Sequence, residues 1–323
     1  MANKGSIWPR CNVDPAAGTA NFDGLVIEAD PMTWPGFERV LPIFEEEQVF
    51  MCRSMDRTLA LKPGATALDV GTGCGIFAIW AARRGCKVVA IDINHRAIDF
   101  AARNATHNRV RVATSRTKLD SGSVYFETRA FDDSFVQREP LHYDFIFLNP
   151  PYNPTVPGVA VALHANAGPD GQARFREQIK LVPQILAADG VCIGNQMGLM
   201  VGCLSEQSAQ VLQEIRRAFH SKCRVRFTRM MEENNDIPVE RFLKELYLPL
   251  GRSGLLPVNV IDKYIRATAR HCAKFALLYY EISRRQSWEQ EYFTPTSRPD
   301  TTWADRLWIH RCILGTAEFS NRS

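Results

Sequence analysis

Short apolar runs alternating with helix-period segments predict an α/β protein built on a doubly wound, mostly parallel sheet. Two observations carry the prediction. "ATALDV" is stopped by "GTGCG" and followed by the helix-period "IFAIWAARRG", a strand, glycine turn and helix unit. The unit then repeats, as "KVVAID" precedes "HRAIDFAARNATHN", with Ala97, Ile98, Ala101 and Ala102 on one helical face.

Taken in order, residues 1 to about 36 are rich in Pro, Gly, Asp and Asn with one strand-like piece, "GLVIEA", and read as an extended arm. A leading helix runs from Glu45 to about Leu61 and stops at Lys62, Pro63 and Gly64. After the two units, "VATSRTKLDSGS" is a polar loop and "VYFETRAF" a third strand. "YDFIFLN" is a fourth strand, "QARFREQIKLVPQILAAD" one helix and "GVCIGNQM" a fifth strand. "SEQSAQVLQEIRRAFH" reads as a helix, with "CRVRFTRMME" and "KFALLYYEIS" as the sixth and seventh strands.

Between the last two strands, "PVERFLKELY" and "PVNVIDKYIRATARHC" are helices each opened by a proline. The organisation expected is an arm and leading helix over 1–60, a sheet domain over 61–231 and 273–290, a helical insertion over 232–272 that is a candidate substrate lid, and a tail over 291–323. In the tail, Trp303 and Trp308 are expected to anchor on the domain or on a second copy, as in a homodimer.

A hydrophobic fraction of 46% against 23% charged is that of a globular protein able to bury a core. A net charge of +4 is too weak to announce a nucleic-acid binder, and the basic runs "EIRRAFHSKCRVRFTR" and "YEISRRQ" read as solvated faces. Nine cysteines stand singly with no zinc spacing, so no metal site is expected and a reducing, cytoplasmic home is. No apolar stretch has the length of a membrane span or signal core, so no membrane partner is expected.

Gly71, Gly73 and Gly75 follow Asp69 in the first strand-to-helix turn, where the backbone must turn tightly and admit a ligand closely. A dinucleotide turn would put its third glycine one residue later than Gly75, where Ile76 stands, so a nicotinamide oxidoreductase is the less favoured alternative. Asp92 ends the second strand, where a carboxylate offers two acceptors to vicinal hydroxyls; the competing reading is a helix cap. At the end of the fourth strand stands "NPPY". Its doubled proline gives a rigid extended backbone with free carbonyls, Asn149 adds an acceptor and Tyr152 a flat face. This set suits one task, gripping a planar amino group by its two hydrogens. His164 reads as a loop histidine near solvent.

The D-x-G-x-G-x-G pattern resembles motif one of the class I S-adenosylmethionine-dependent methyltransferases. Asn149, Pro150, Pro151 and Tyr152 resemble the N-P-P-Y motif of the glutamine and adenine N-methyltransferase (HemK/PrmC-like) group. The "HANAGPDGQARF" stretch, with Pro42 and Glu47 in "VLPIFEEEQVF", is similar to further segments of that group, although Ile43 and Glu46 replace its Arg and Thr. The resemblance covers about residues 40 to 200. It implies a seven-stranded Rossmann-like methyltransferase sheet and S-adenosylmethionine as cofactor. Asp69 would orient the amino-acid end of that cofactor, Gly71, Thr72, Gly73 and Gly75 would lie against it, and Asp92 and Ile93 would meet the ribose side. An acid at the end of the third strand would meet the adenine amino group; Arg129 stands in its place, and Asp132 or Asp133 is the substitute.

The activity implied is N-methylation of a planar amino or amide nitrogen, with Asn149, Pro150 and Tyr152 gripping the acceptor and Asn149 also touching the cofactor. A small molecule or modified amino acid is placed slightly ahead of a protein glutamine and a nucleic-acid base. A cofactor-binding but inactive scaffold is disfavoured because Asn149 and Tyr152 are both present.

Overall fold

The structure, a computed structural model, describes residues 11–59, 61–157, 159, 161–200, 210–230, 237–252, 256–270 and 274–293. The arm is more ordered than its composition suggests. β1 (Asn12–Asp14), β2 (Thr19–Phe22) and β3 (Leu25–Glu28) form a three-stranded antiparallel sheet. Asp23 and Gly24 link β2 to β3, both with positive φ, as the two-residue hairpin turn of a right-twisted ribbon requires. A π-helical turn at Glu45–Val49 then leads into α1 (Phe50–Thr58).

The central sheet begins with β4 (Thr66–Val70), α2 (Ile76–Arg83), β5 (Lys87–Asp92) and α3 (His95–His107). There follow β6 (Arg111–Val112), β7 (Ser123–Thr128), α4 (Asp133–Arg138) and β8 (Tyr143–Leu148). The helix expected over 172–189 is two pieces, α5 (Ala173–Ile179) and α6 (Val182–Ile185), because Pro183 has no N–H to continue the ladder. β9 (Leu186–Met200) starts earlier than expected, with an irregularity between the pairs Tyr143–Leu186 and Phe145–Val191. α7 (Gln210–Ala218), β10 (Cys223–Arg229), β11 (Ile237–Pro238), α8 (Val239–Arg252), α9 (Val258–Ala269), β12 (Lys274–Arg284) and β13 (Glu289–Tyr292) complete the chain.

The strand order is β13-β10-β12-β9-β8-β4-β5-β7-β6, with β11 pairing β12. The seven expected strands form the body of the sheet; β6, β11 and β13 are short additions. β4 pairs in parallel with both β5 and β8, so the chain winds outward in two directions from the β4/β8 boundary. Ligands bind such sheets beyond the carboxyl ends of the strands at this reversal. β12 runs antiparallel to β9 and β10. Both faces of the middle strands are covered, which is why Leu68, Val70, Ile146 and Leu148 are buried together with Ala67, Phe145 and Phe147.

The N-terminal sheet docks on α3 through two asparagines that act as a strand edge. Asn104 accepts from Glu28 N at 3.0 Å and donates to Glu28 O at 2.8 Å, while Asn108 does the same for Val26 at 2.9 and 2.7 Å. The arm is therefore fixed to the sheet domain beside the glycine turn. Among the described residues no helix is long and apolar enough to cross a membrane. Trp303 and Trp308 lie outside the described residues.

Candidate active site

The turn after β4 has Gly71, Gly73 and Gly75 at φ +69°, +54° and +89°, all in the left-handed region. Gly71 N and Thr72 N both donate to Ile91 O at 2.9 Å, which holds the turn against β5. A Cβ on Gly71 would meet no atom within 4 Å. Protein packing does not require a glycine there; the open space is the mouth of a cavity of about 230 Å3 that Gly71, Thr72 and Gly73 help to line. Gly75 works differently. Its Cβ would come within 2.9 Å of Ala101 Cβ, so it permits the close approach of α2 and α3 and does not line the cavity.

Asp69 also lies behind the wall. It is fully buried, and its Oδ2 accepts from Thr72 Oγ1 at 2.7 Å and from Ala78 N at 3.0 Å. It thus ties the turn to the start of α2. Burial pushes its carboxyl up to about 7 in spite of those two bonds.

Asp92 does face the cavity. Its Oδ2 accepts from Gly73 N at 3.0 Å and its Oδ1 from Asn94 N at 2.9 Å, leaving each oxygen a further lone pair. Burial raises its pKa and those bonds oppose the rise. The helix cap weighed as its alternative role belongs to Asn94, whose Oδ1 accepts from Arg96 N at 3.0 Å. Ile93 lines the cavity and is 61% exposed, an apolar surface for a flat ring. Asp132 is exposed and caps α4, accepting from Phe135 N at 2.9 Å and from Ser134 Oγ at 2.8 Å, bonds that hold its carboxyl below the usual range. It does not line the cavity; Arg129 and Phe131 do. The adenine contact expected of Asp132 is therefore not what its position offers.

Asn149, Pro150, Pro151 and Tyr152 line the same cavity, across the β4/β8 reversal from the glycine turn. Asn149 Oδ1 is buried with no donor reaching it. Such an acceptor costs about 1–3 kcal/mol unless something completes it. The Tyr152 hydroxyl donates to Glu47 in the π-helical turn, and Gln48 Nε2 donates to the same carboxylate at 3.3 Å. Burial and the Glu47 charge push the phenol well above its ordinary range. The two segments singled out separately in the sequence, "VLPIFEEEQVF" and the tetrad, are thus joined by one buried bond that fixes the tyrosine ring.

No described residue of 237–270 lines the cavity. Instead Tyr247 donates to Pro154 O and Tyr264 to Pro169 O at 2.6 Å, so α8 and α9 grip the loop that follows the tetrad from behind. Thr155 N bonds Gly168 O at 2.8 Å and Gln196 Nε2 bonds Gly171 O at 2.7 Å, completing that support.

The sequence missed part of the lining. Arg39 and Gln178 lie on the wall with no motif to announce them. His164, expected near solvent, lines the cavity too; its Nδ1 meets Arg39 O at 3.1 Å and its Nε2 is buried without a partner. Burial and the nearby Arg39 charge bring its imidazole down to about 4, so it is neutral at physiological pH. The structure therefore brings together Gly71, Thr72, Gly73, Asp92, Ile93, Asn149, Pro150 and Tyr152, and leaves Asp69, Gly75 and Asp132 behind or outside the wall.

A mostly parallel sheet thus carries the glycine turn at its reversal, an acid on the next strand and the Asn-Pro-Pro-Tyr stretch after β8 around one cavity, and the chain is similar to known proteins. Residues 50–132 match the family model described as ribosomal protein L11 methyltransferase (PrmA). The chain is 49% identical over 59 residues to the ribosomal protein L11 methyltransferase of Aquifex aeolicus, covering 18% of this chain and 24% of that one. It is 33% identical over 144 residues to the release factor glutamine methyltransferase of Chlorobaculum tepidum, covering 43% and 44%. A solved SAM dependent methyltransferase from Agrobacterium tumefaciens aligns at TM-score 0.45 and 14% identity over 82% of this chain and 69% of that one. The chain spans less than two thirds of the length of these curated relatives. The family model and both relatives are methyltransferases by name.

Proposed function

We propose that the chain is an S-adenosylmethionine-dependent N-methyltransferase acting on a planar amide or amino nitrogen. One observation carries the proposal: Asn149, whose Oδ1 is buried and partnerless, lines the same cavity as Asp92 and as Gly71 with the empty space before it. The residues suit the cofactor's parts. Asp92 would accept from the ribose hydroxyls, Ile93 and Phe131 offer apolar faces to the adenine, and Gly71 and Gly73 leave room that any Cβ would fill.

When bound, the cofactor supplies a methyl group on a sulfonium as the electrophile. The chain's own residues act on the acceptor. Asn149 Oδ1 and the Pro150 carbonyl accept the two hydrogens of a planar nitrogen, which orients it and returns electron density to its delocalised lone pair. The methylated nitrogen is cationic and strongly acidic, so the proton hydrogen-bonded to Asn149 Oδ1 passes on to water, and no strong base is needed. Tyr152, locked by Glu47, keeps the flat group in plane.

For the acceptor, the side-chain amide of a protein glutamine now stands ahead of the small molecule placed first on sequence grounds. The relatives named for methylating a ribosomal protein and a release factor support it, and no described residue of the insertion closes over the cavity. The test is to incubate the full chain and its Asn149→Ala variant with methyl-labelled S-adenosylmethionine and a cell extract, then hydrolyse the protein fraction in acid. Labelled methylamine, released from N-methylglutamine only with the native chain, is the expected result. Asn149-dependent label confined to the small-molecule fraction would restore the first acceptor class, and label independent of Asn149 would contradict the mechanism.

A further inference from the structure

Asn149 leaves β8 at the carboxyl edge of the sheet, and the strand beside it carries a second buried carboxamide at the same level. β8 and β9 pair in parallel through Phe145–Val191, Ile146–Cys192, Phe147–Ile193 and Leu148–Gly194. The next position on the two strands is Asn149 beside Asn195. Pro150 holds Asn149 extended, so the alternation of faces carries through it. Phe147 and Ile193 pack in one core cluster, while Ile146, Leu148 and Cys192 pack in the other. Asn149 and Asn195, two residues on, therefore share the face of Phe147 and Ile193. Neighbouring strands lie about 4.8 Å apart, which brings carboxamides on a shared face within reach of one hydrogen bond, as in an asparagine ladder.

The seam between the strands is tight. A Cβ on Gly194 would collide with Leu148 O and with the Tyr280 hydroxyl, which donates to Leu148 O at 3.4 Å. Asn195 is fully buried, and neither its Oδ1 nor its Nδ2 has a partner; Asn149 Oδ1 has none either. Tyr279, opposite Asn195 on β12, gives its hydroxyl to Glu281 Oε1 at 2.8 Å. On the reverse face the neighbouring Gln196 is bonded to Gly171 O. Burying a whole carboxamide without a bond is costly, so packing alone would select an apolar residue at 195. Asn195 does not line the cavity; it stands behind the residue that does.

We propose that Asn195 is the positioning residue for Asn149, its Oδ1 accepting from Asn149 Nδ2 in the working site. The inference rests on the amino-gripping role given to Asn149 above. A carboxamide has one accepting and one donating end, and the torsion that exchanges them is soft. Only the orientation with Oδ1 toward the acceptor nitrogen can grip its hydrogens; the reverse sets N–H against N–H. Committing Nδ2 to Asn195 selects the productive orientation, and polarisation along the two bonds makes Asn149 Oδ1 the stronger acceptor.

The test uses the full chain and Asn195→Leu, which puts an apolar side chain of similar volume in place of the carboxamide. Turnover, read as labelled methylamine from cell-extract protein, is expected to fall about tenfold, with the urea midpoint unchanged or raised and S-adenosylhomocysteine affinity within about threefold of native. Asn195→Asp, which keeps the accepting oxygen, is expected to recover most of the loss. In the Asn149→Ala background Asn195→Leu is expected to add nothing, since no carboxamide is left to orient. Turnover of Asn195→Leu within about threefold of native overturns the inference, and so does an equal fold-loss in both backgrounds, the mark of a structural role. A second readout needs no methyl acceptor. With 15N-labelled asparagine, the side-chain NH2 resonance of Asn149, identified by its absence from Asn149→Ala, is expected to move in Asn195→Leu and to return toward its native position in Asn195→Asp. A resonance that stays in place in Asn195→Leu, in the free chain and with S-adenosylhomocysteine bound, overturns the pairing. A native chain that transfers no methyl group refutes the activity proposed above, and the resonance then decides the pairing by itself.

Discussion

Asn149→Ala separates a site residue from a structural one, because the two roles move stability and turnover in opposite directions. Asn149 Oδ1 is buried with no donor, so in the free protein the amide is a burden of about 1–3 kcal/mol rather than a support. Removing it costs little packing, since the side chain borders a cavity and not the close-packed core. The expected result in urea unfolding is an unchanged stability or a gain of about 1 kcal/mol. Turnover is expected to fall about 100- to 1,000-fold, the loss typical of one preorganised hydrogen-bonding group at a reacting centre. Affinity for S-adenosylhomocysteine, measured by calorimetry, is expected to stay within about threefold of native, because Asp92 and the glycine turn are untouched. A variant that loses about 2 kcal/mol of stability and keeps its turnover would refute the reasoning.

Four further outcomes follow from the same geometry. Gly75→Ala places a Cβ 2.9 Å from Ala101 Cβ at a φ of +89°, and is expected to lose about 2–4 kcal/mol in urea unfolding; Gly71→Ala, with open space before it, is expected to lose about 1 kcal/mol of stability but most of the cofactor affinity. Asp69, pushed up to about 7 from an ordinary 3.8, holds in the folded state a proton that the unfolded chain has released, so its stabilising contribution is full below pH of about 4 and is lost as pH rises through about 7. That loss is at most about 4 kcal/mol, and Asp69→Asn, which keeps an acceptor for Thr72 and Ala78, is expected to flatten the fall in urea midpoint across this window. Tyr247→Phe strips the Pro154 carbonyl of its donor and is expected to cost about 1–2 kcal/mol and to lower kcat/KM for the acceptor with cofactor affinity unchanged.

What was legible in the sequence is what local chemistry dictates. The apolar runs at 65–70, 87–92 and 143–148 became adjacent parallel strands, and Pro238 and Pro257 each stand immediately before a helix. The glycine turn was legible as a cradle, but not that its third glycine serves α3, because Ala101 is its neighbour only in space. Asp132 three residues before buried Phe135 is a readable cap signal, overlooked in favour of an adenine contact. Likewise "DG" at 23–24 is a hairpin signal within a stretch taken for an arm. The Tyr152–Glu47 bond spans 105 residues, and the lining by Arg39 and His164 depends on how the arm folds back over the sheet. Nothing in spacing or periodicity announces contacts of that range.

The cofactor class is the claim on which the rest depends, and one calorimetric comparison tests it most directly. Full-length chain titrated separately with S-adenosylmethionine and with NAD is expected to bind the former at one site, with affinity lost in Asp92→Ala, and to give no heat with the latter. Tight binding of NAD with no heat from S-adenosylmethionine would contradict the account.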